Sequence, residues 1–234
     1  MERYGQVRIW SGLEAMPVIG APARRLRRAV SSRSFYGSVR YWEDRYRRGG
    51  KSGDGSYGRL ALFKAEVVND FVSAHGVTSV LELGCGDGAQ LQLAVYPSYT
   101  GVDVSCTSID HCRRLFGSDP SKIFVHSSNL DRVHRHDLGL SLDVVYHLVE
   151  DSVFERYMSD LFRLSNRFVI VYSSNTERSH DRPHIRHREF TNWVERNAST
   201  WILLNSIQNR YAAQIGEEDE EHSFASFFVF ERVG

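Results

Sequence analysis

From residue 58 onward the apolar and polar positions of this chain alternate between the two periodicities of helices and strands. Leu60, Phe63, Val67 and Phe71 recur at helical spacing and predict an amphipathic helix that ends near His75-Gly76. Val80 to Leu83 is apolar on both sides except at Glu82, the pattern of a central parallel strand covered on both faces. Gln90, Leu91, Leu93 and Ala94 predict the start of a helix directly after it. Strands are predicted at 99–104, 123–126, 140–148 and 168–172. Between them, Thr107 and Asp110 suit the first turn of a helix running to Phe116-Gly117. Glu150 and Asp151 open another, with Val153, Phe154, Tyr157, Leu161 and Leu164 on its core face. A short helix at 191–195 precedes strands at 201–207 and 224–230. No helical pattern separates those two strands, so they are expected to pair as a hairpin. The expected fold is α/β and Rossmann-like, a seven-stranded, mostly parallel sheet with an antiparallel last strand and helices on both faces.

The first predicted strand runs into Gly84, Cys85, Gly86, Asp87 and Gly88. Strand, glycine turn and helix is a nucleotide-binding construction. The spacing G-x-G-x-G is not the G-x-G-x-x-G of dinucleotide folds, and no Gly-Lys-Ser/Thr phosphate loop is present. Glu82 lies two residues before the first glycine, and a carboxylate there suits a cationic ligand better than a phosphate. Asp103 falls about 20 residues on, where nucleotide-binding folds place the carboxylate that accepts from ribose hydroxyls.

The stretch from Glu82 to Gly88 resembles motif I of the class I S-adenosylmethionine (SAM)-dependent methyltransferases, E/D-x-G-x-G-x-G. The resemblance implies SAM as cofactor, held by Glu82, Gly84, Cys85, Gly86, Gly88, Asp103 and Val104. It also implies a polar residue after the third strand against the adenine amine, for which Asn129 is the candidate and Ser128 the alternative.

Composition narrows the partners. Lys plus Arg and Asp plus Glu each number 29, so no net charge favours nucleic acid. No Asn/Asp-Pro-Pro-Tyr or Pro-Cys follows the fourth strand, which disfavours nucleic-acid base methylation by the enzymes that carry those motifs. Three cysteines without metal spacing read as reduced thiols of a cytoplasmic protein. No apolar run reaches the ~20 residues of a membrane span. The arginine-rich residues 1–40 read as an N-terminal appendage, a lid or a homodimer contact, before a methyltransferase domain over 41–234. Within that domain, residues 41–58 combine glycines with flanking aromatics, as expected of a loop that closes over a ligand.

Acceptor chemistry is expected at the carboxyl ends of the strands. His147 is the candidate general base, with Asp151 to orient it. Tyr57, Tyr146, His184, His187 and Arg188 are candidate acceptor-binding residues. Glu150 and Asp151, with Asp143 nearby, raise a carboxylate site for Mg2+. His180, His184 and His187 share one arginine-rich loop with Pro183 and no cysteine, a poor zinc site. Three longer stretches, beginning at Tyr41, Ser141 and Val171, resemble bacterial methyltransferases of surface and storage polysaccharide synthesis. That resemblance implies a saccharide acceptor methylated on a hydroxyl, for example the 1-OH of a mannoside precursor. The alternatives are a small phosphorylated or amine metabolite, or a SAM-binding partner subunit without chemistry.

Overall fold

A computed structural model describes residues 35–178 and 180–234, so most of the appendage expected over residues 1–40 lies outside them. Seven strands form one sheet: β1 (Val80–Leu83), β2 (Tyr99–Asp103), β3 (Lys122–His126), β4 (His136–Leu142), β5 (Ser165–Ser173), β6 (Trp201–Ile207) and β7 (Ser226–Arg232). Their order is β3-β2-β1-β4-β5-β7-β6. The first five run parallel, and β7 enters antiparallel between β5 and β6. The expected hairpin of the last two strands is present.

Helices α1 (Ser38–Arg47), α2 (Gly58–Ala74), α3 (Cys106–Leu115), α4 (Asp151–Arg163) and α5 (Phe190–Asn197) complete the fold. Strand alternation sorts the core into two clusters, one on each face. Val80, Leu138, Leu140, Phe168 and Ile170 pack with α2 and α3. Leu81, Leu83, Val169 and Val171 face α4 and α5, where Phe154, Met158, Leu161 and Val194 meet them.

Two expected elements differ. The helix after the glycine turn is a single 3-10 turn, Gln90–Leu93. Only residues 89–98 separate the glycine turn from β2, and Pro97 stands among them, so a full crossover helix does not fit. The fourth strand spans His136–Leu142 instead of residues 140–148, starting four residues earlier and stopping at Leu142. Asp143 takes a left-handed backbone (φ 61°), and a 3-10 turn, Val145–His147, follows. The apolar residues 144–148 therefore leave the sheet and wrap the end of it, which places Tyr146 and His147 beside the strand ends.

Candidate active site

A cavity of about 660 Å³ lies at the carboxyl ends of β1, β2 and β4. Helix α1 and the connection at residues 48–57 form its cover. Helix α1 is tied down at its first residue and near its middle. Glu43 accepts from Ser105 Oγ and Thr107 Oγ1, each at 2.7 Å. Ser38 donates its hydroxyl to Glu150 Oε2 (2.6 Å), and its N–H to Glu150 Oε1 (2.9 Å). Burial alone would raise the Glu43 and Glu150 carboxyls, but these hydrogen bonds hold both below the usual range. The connection is anchored on Asp87 within the glycine turn. Asp87 Oδ2 accepts from Ser52 N–H (2.8 Å) and Tyr57 hydroxyl (2.7 Å). Burial opposes the ionised form of Asp87, and the same bonds outweigh it, keeping the carboxyl low.

One end of the cavity has the glycine turn as its wall. Glu82, Gly84, Cys85, Gly86, Asp103 and Val104 line it; Gly88 and Asn129 do not. Ser127 and Ser128 stand in the place expected of Asn129, which is exposed. Asp103 accepts from Gly86 N–H and Ser105 N–H, both at 2.9 Å, and burial raises its pKa. Its carboxylate thus shapes the turn whatever else it binds. Burial pushes Glu82 up to about 7, against the hydroxyl of Tyr99 that donates to it at 2.6 Å. Gly86 has φ 56°, and a Cβ there would lie 2.4 Å from Ser52 Oγ. The glycine admits the cover itself, not only a ligand. Gln90 Oε1 is buried without a partner beside this wall.

The other end holds an imidazole. His147 Nδ1 lies 3.0 Å from the carbonyl oxygen of His184. A carbonyl only accepts, so Nδ1 carries the proton and Nε2 keeps its lone pair. Trp42 meets the ring edge-on at 4.9 Å, and His184 lies parallel at 5.6 Å, itself stacked on Tyr41 at 4.5 Å. Burial lowers His147 to about 4, with the charges of Arg45 and Arg182 adding to the effect against the His184 hydrogen bond. Lys64, buried inside α2, reaches the floor and binds Asp143 Oδ2 at 2.5 Å, while Tyr146 hydroxyl donates to Oδ1 at 2.9 Å.

Asp151 does not contact His147. Its carboxylate accepts from Arg188 (2.7 Å) and lies 3.0 Å from Arg186, and those bonds hold it low. Arg188 also donates to the carbonyls of Leu148 and Val149 and borders a separate hollow with Trp193. His187 is buried behind Tyr146, with Nδ1 2.7 Å from Ser174 Oγ, and does not line the cavity. Tyr57 likewise acts through Asp87. The expected carboxylate metal site is not assembled: Asp143, Glu150 and Asp151 each face a different protein partner. Among the described residues no group of three or more His, Cys, Asp or Glu is placed to hold a metal. Glu43, Ser52, Lys64 and Asp87 were missed from the sequence. A lysine on the apolar face of α2 and an acid within the glycine turn were the available signals for two of them.

Sheet order, glycine turn and covered cavity together are the fold of the class I SAM-dependent methyltransferases. No family model matches the chain, and no curated protein does. Solved structures do. The methyltransferase domain of bacterial CtHen1 is 20% identical, with a TM-score of 0.57 over 73% of this chain and 97% of that one. N-methyltransferase NodS from Bradyrhizobium japonicum, in complex with S-adenosyl-L-homocysteine (SAH), is 15% identical, with a TM-score of 0.57 over 74% of this chain and 87% of NodS. Magnesium protoporphyrin IX methyltransferase from Synechocystis, with SAH bound, is 15% identical, with a TM-score of 0.58 over 89% and 99%. At such identities the likeness is one of fold. None of these names speaks of a saccharide, so the polysaccharide subgroup expected from the sequence has no support here. Among the described residues no helix is long and apolar enough to cross a membrane.

Proposed function

We propose that this chain is a SAM-dependent O-methyltransferase acting on a hydroxyl of a saccharide. One observation carries the reading. A single cavity joins the glycine turn and Asp103 to a neutral imidazole whose Nε2 is free to take a proton. The residues at the turn suit the cofactor: Glu82, Asp87 and Asp103 line this wall of the cavity, and Gln90 Oε1 is an orphaned acceptor beside them. SAM, when bound, supplies a methyl group already activated on a sulfonium. The protein's own work is then to align the acceptor oxygen and remove its proton. His147 Nε2 accepts that proton, and the carbonyl of His184 holds the ring and stabilises the imidazolium through Nδ1–H. Trp42 and Tyr41 line the cavity beside His147 with aromatic rings of the kind that pack against a sugar ring.

The test is transfer of labelled methyl from SAM to a panel of mono- and disaccharides, including mannosides with a free 1-OH. It is run with and without magnesium, since Glu150 and Asp151 would have to leave Ser38 and Arg188 to bind a cation. Tight SAH binding without turnover on any hydroxyl would favour the reading as a partner subunit.

A further inference from the structure

The cavity is lined by four cationic side chains: Arg45, Lys64, Arg156 and Arg182. Two of them are matched by acids. Lys64 binds Asp143 at 2.5 Å, and Arg156 lies 3.8 Å from Asp160. The other two are not. Arg45 gives its Nε–H to the carbonyl of Lys51 (2.6 Å), and its guanidinium lies 5.6 Å from the ring of Trp42. Among the described residues no carboxylate stands within ion-pair distance of Arg45 or of Arg182. Nearby acids are already engaged: Glu218 lies 3.0 Å from His180 Nε2, and Asp219 2.9 Å from His222 Nδ1. Both arginine charges act on His147, which lines the cavity with them and with Trp42 and His184.

We infer that the acceptor carries an anionic group, a phosphate or a carboxylate, that Arg45 and Arg182 hold beside His147. The inference rests on the methyltransferase reading above and specifies its acceptor. Arg182 is exposed at the rim and Arg45 is half-buried, and two guanidiniums without carboxylate partners lining one cavity bind a planar or tetrahedral oxyanion through paired N–H donors. A neutral sugar makes no use of this charge. Nor does the cofactor end, where the lining groups are acids.

The arrangement also resolves a weakness of His147 as a base. With the site empty, burial and the two arginine charges hold the imidazole at about 4, a poor match to a proton transfer at neutral pH. An anion seated on Arg45 and Arg182 cancels the charge that disfavours imidazolium and adds a negative charge of its own. The acceptor thus raises the basicity of the group that will deprotonate it. An acceptor without the anionic group leaves His147 poorly basic, so selectivity appears in turnover as well as in binding.

The test uses the whole chain saturated with SAH and calorimetric titration with inorganic phosphate, glucose 1-phosphate, glucuronate and glucose. The anionic sugars are expected to bind at least ~10-fold more tightly than glucose, as for charge-assisted hydrogen bonds. Which of the two binds better separates phosphate from carboxylate. Arg45→Gln and Arg182→Gln should each cost about 10-fold in affinity for the preferred anion and leave SAH affinity unchanged, with Arg→Lys at each position recovering part of the loss. The His147 ring, followed by NMR, should titrate at higher pH with the anion bound than without it. Equal affinities for charged and neutral sugars, or an undiminished anion affinity in the Arg45→Gln, Arg182→Gln double variant, would overturn the inference. Absence of SAH binding in the native chain would instead strike the cofactor reading on which it rests.

Discussion

His187 allows the electrostatics of this domain to be tested away from the reaction. The side chain is 1% exposed, with Nδ1 on Ser174 Oγ at 2.7 Å and Nε2 buried without a partner. Burial first, then the neighbouring His180, lowers it from the ordinary 6.5 to about 4. The folded state therefore binds fewer protons than the unfolded chain between those values. The stability this gives is fully present above pH 6.5 and is lost as pH falls toward 4. At 1.36 kcal/mol per pH unit the limit is about 3 kcal/mol, of which about 2 kcal/mol is lost by pH ~5. His187→Phe keeps a flat ring against Phe224, whose centroid lies at 4.8 Å, and removes the titration. It strands the Ser174 hydroxyl, at a cost of about 1 kcal/mol that does not vary with pH. Urea unfolding at about pH 7.5 and about pH 5 then gives two differences, one for each protein. The native chain should lose more stability than the variant does, by about 2 kcal/mol; the losses from His136, His147 and His184 and the opposing gain from Glu82 are common to both proteins and cancel in the difference. Equal losses in the two proteins would refute the argument, as would an NMR titration of His187 near its ordinary value.

Three further outcomes are expected. His147→Ala should lower kcat about 10²–10⁴-fold with SAM affinity unchanged, and unaltered turnover would remove His147 as the base. Asp87→Ala removes the acceptor of Ser52 N–H and Tyr57 hydroxyl, so residues 48–57 should exchange amide hydrogens faster and SAH should be released sooner. Unchanged exchange there would mean that Asp87 is not the anchor. Asp103→Ala frees the N–H groups of Gly86 and Ser105 and should weaken SAH binding by about 1.5–3 kcal/mol in calorimetry; an unaltered affinity would separate Asp103 from the cofactor.

What could be read from the chain alone divides by the range of the interactions. The sheet was legible because each strand announces itself through its own side chains. Phe168, Ile170 and Tyr172 alternate against Val169 and Val171, and Leu140 and Leu142 against Ser141, although the start of β4 at His136 was missed. The glycine turn was legible for the same reason, since Gly84, Gly86 and Gly88 all need positive φ within one short stretch. The end of β4 was misjudged because residues 144–148 carry strand-like apolar residues while Asp143 breaks the ladder through its backbone. The reason lies in a lysine 79 residues away that fixes the Asp143 carboxylate.

The cover was harder still. Its sequence shows glycines and aromatics, but not that Ser52 and Tyr57 meet Asp87, or that Glu43 meets the first turn of α3. Those bonds join residues 30 to 64 positions apart, and neither partner is unusual in its own neighbourhood. Their placement has a consequence for function. Asp87 belongs to the glycine turn, and Asp103, which shapes that turn through Gly86 N–H, is followed by Ser105, which holds Glu43 of α1. Two attachments of the cover, at Asp87 and at Ser105, thus border the glycine turn, while the third, from Ser38 to Glu150, lies beside His147. The same α1 carries Trp42 and Arg45 toward His147, so one helix touches both the glycine-turn side and the imidazole side of the cavity.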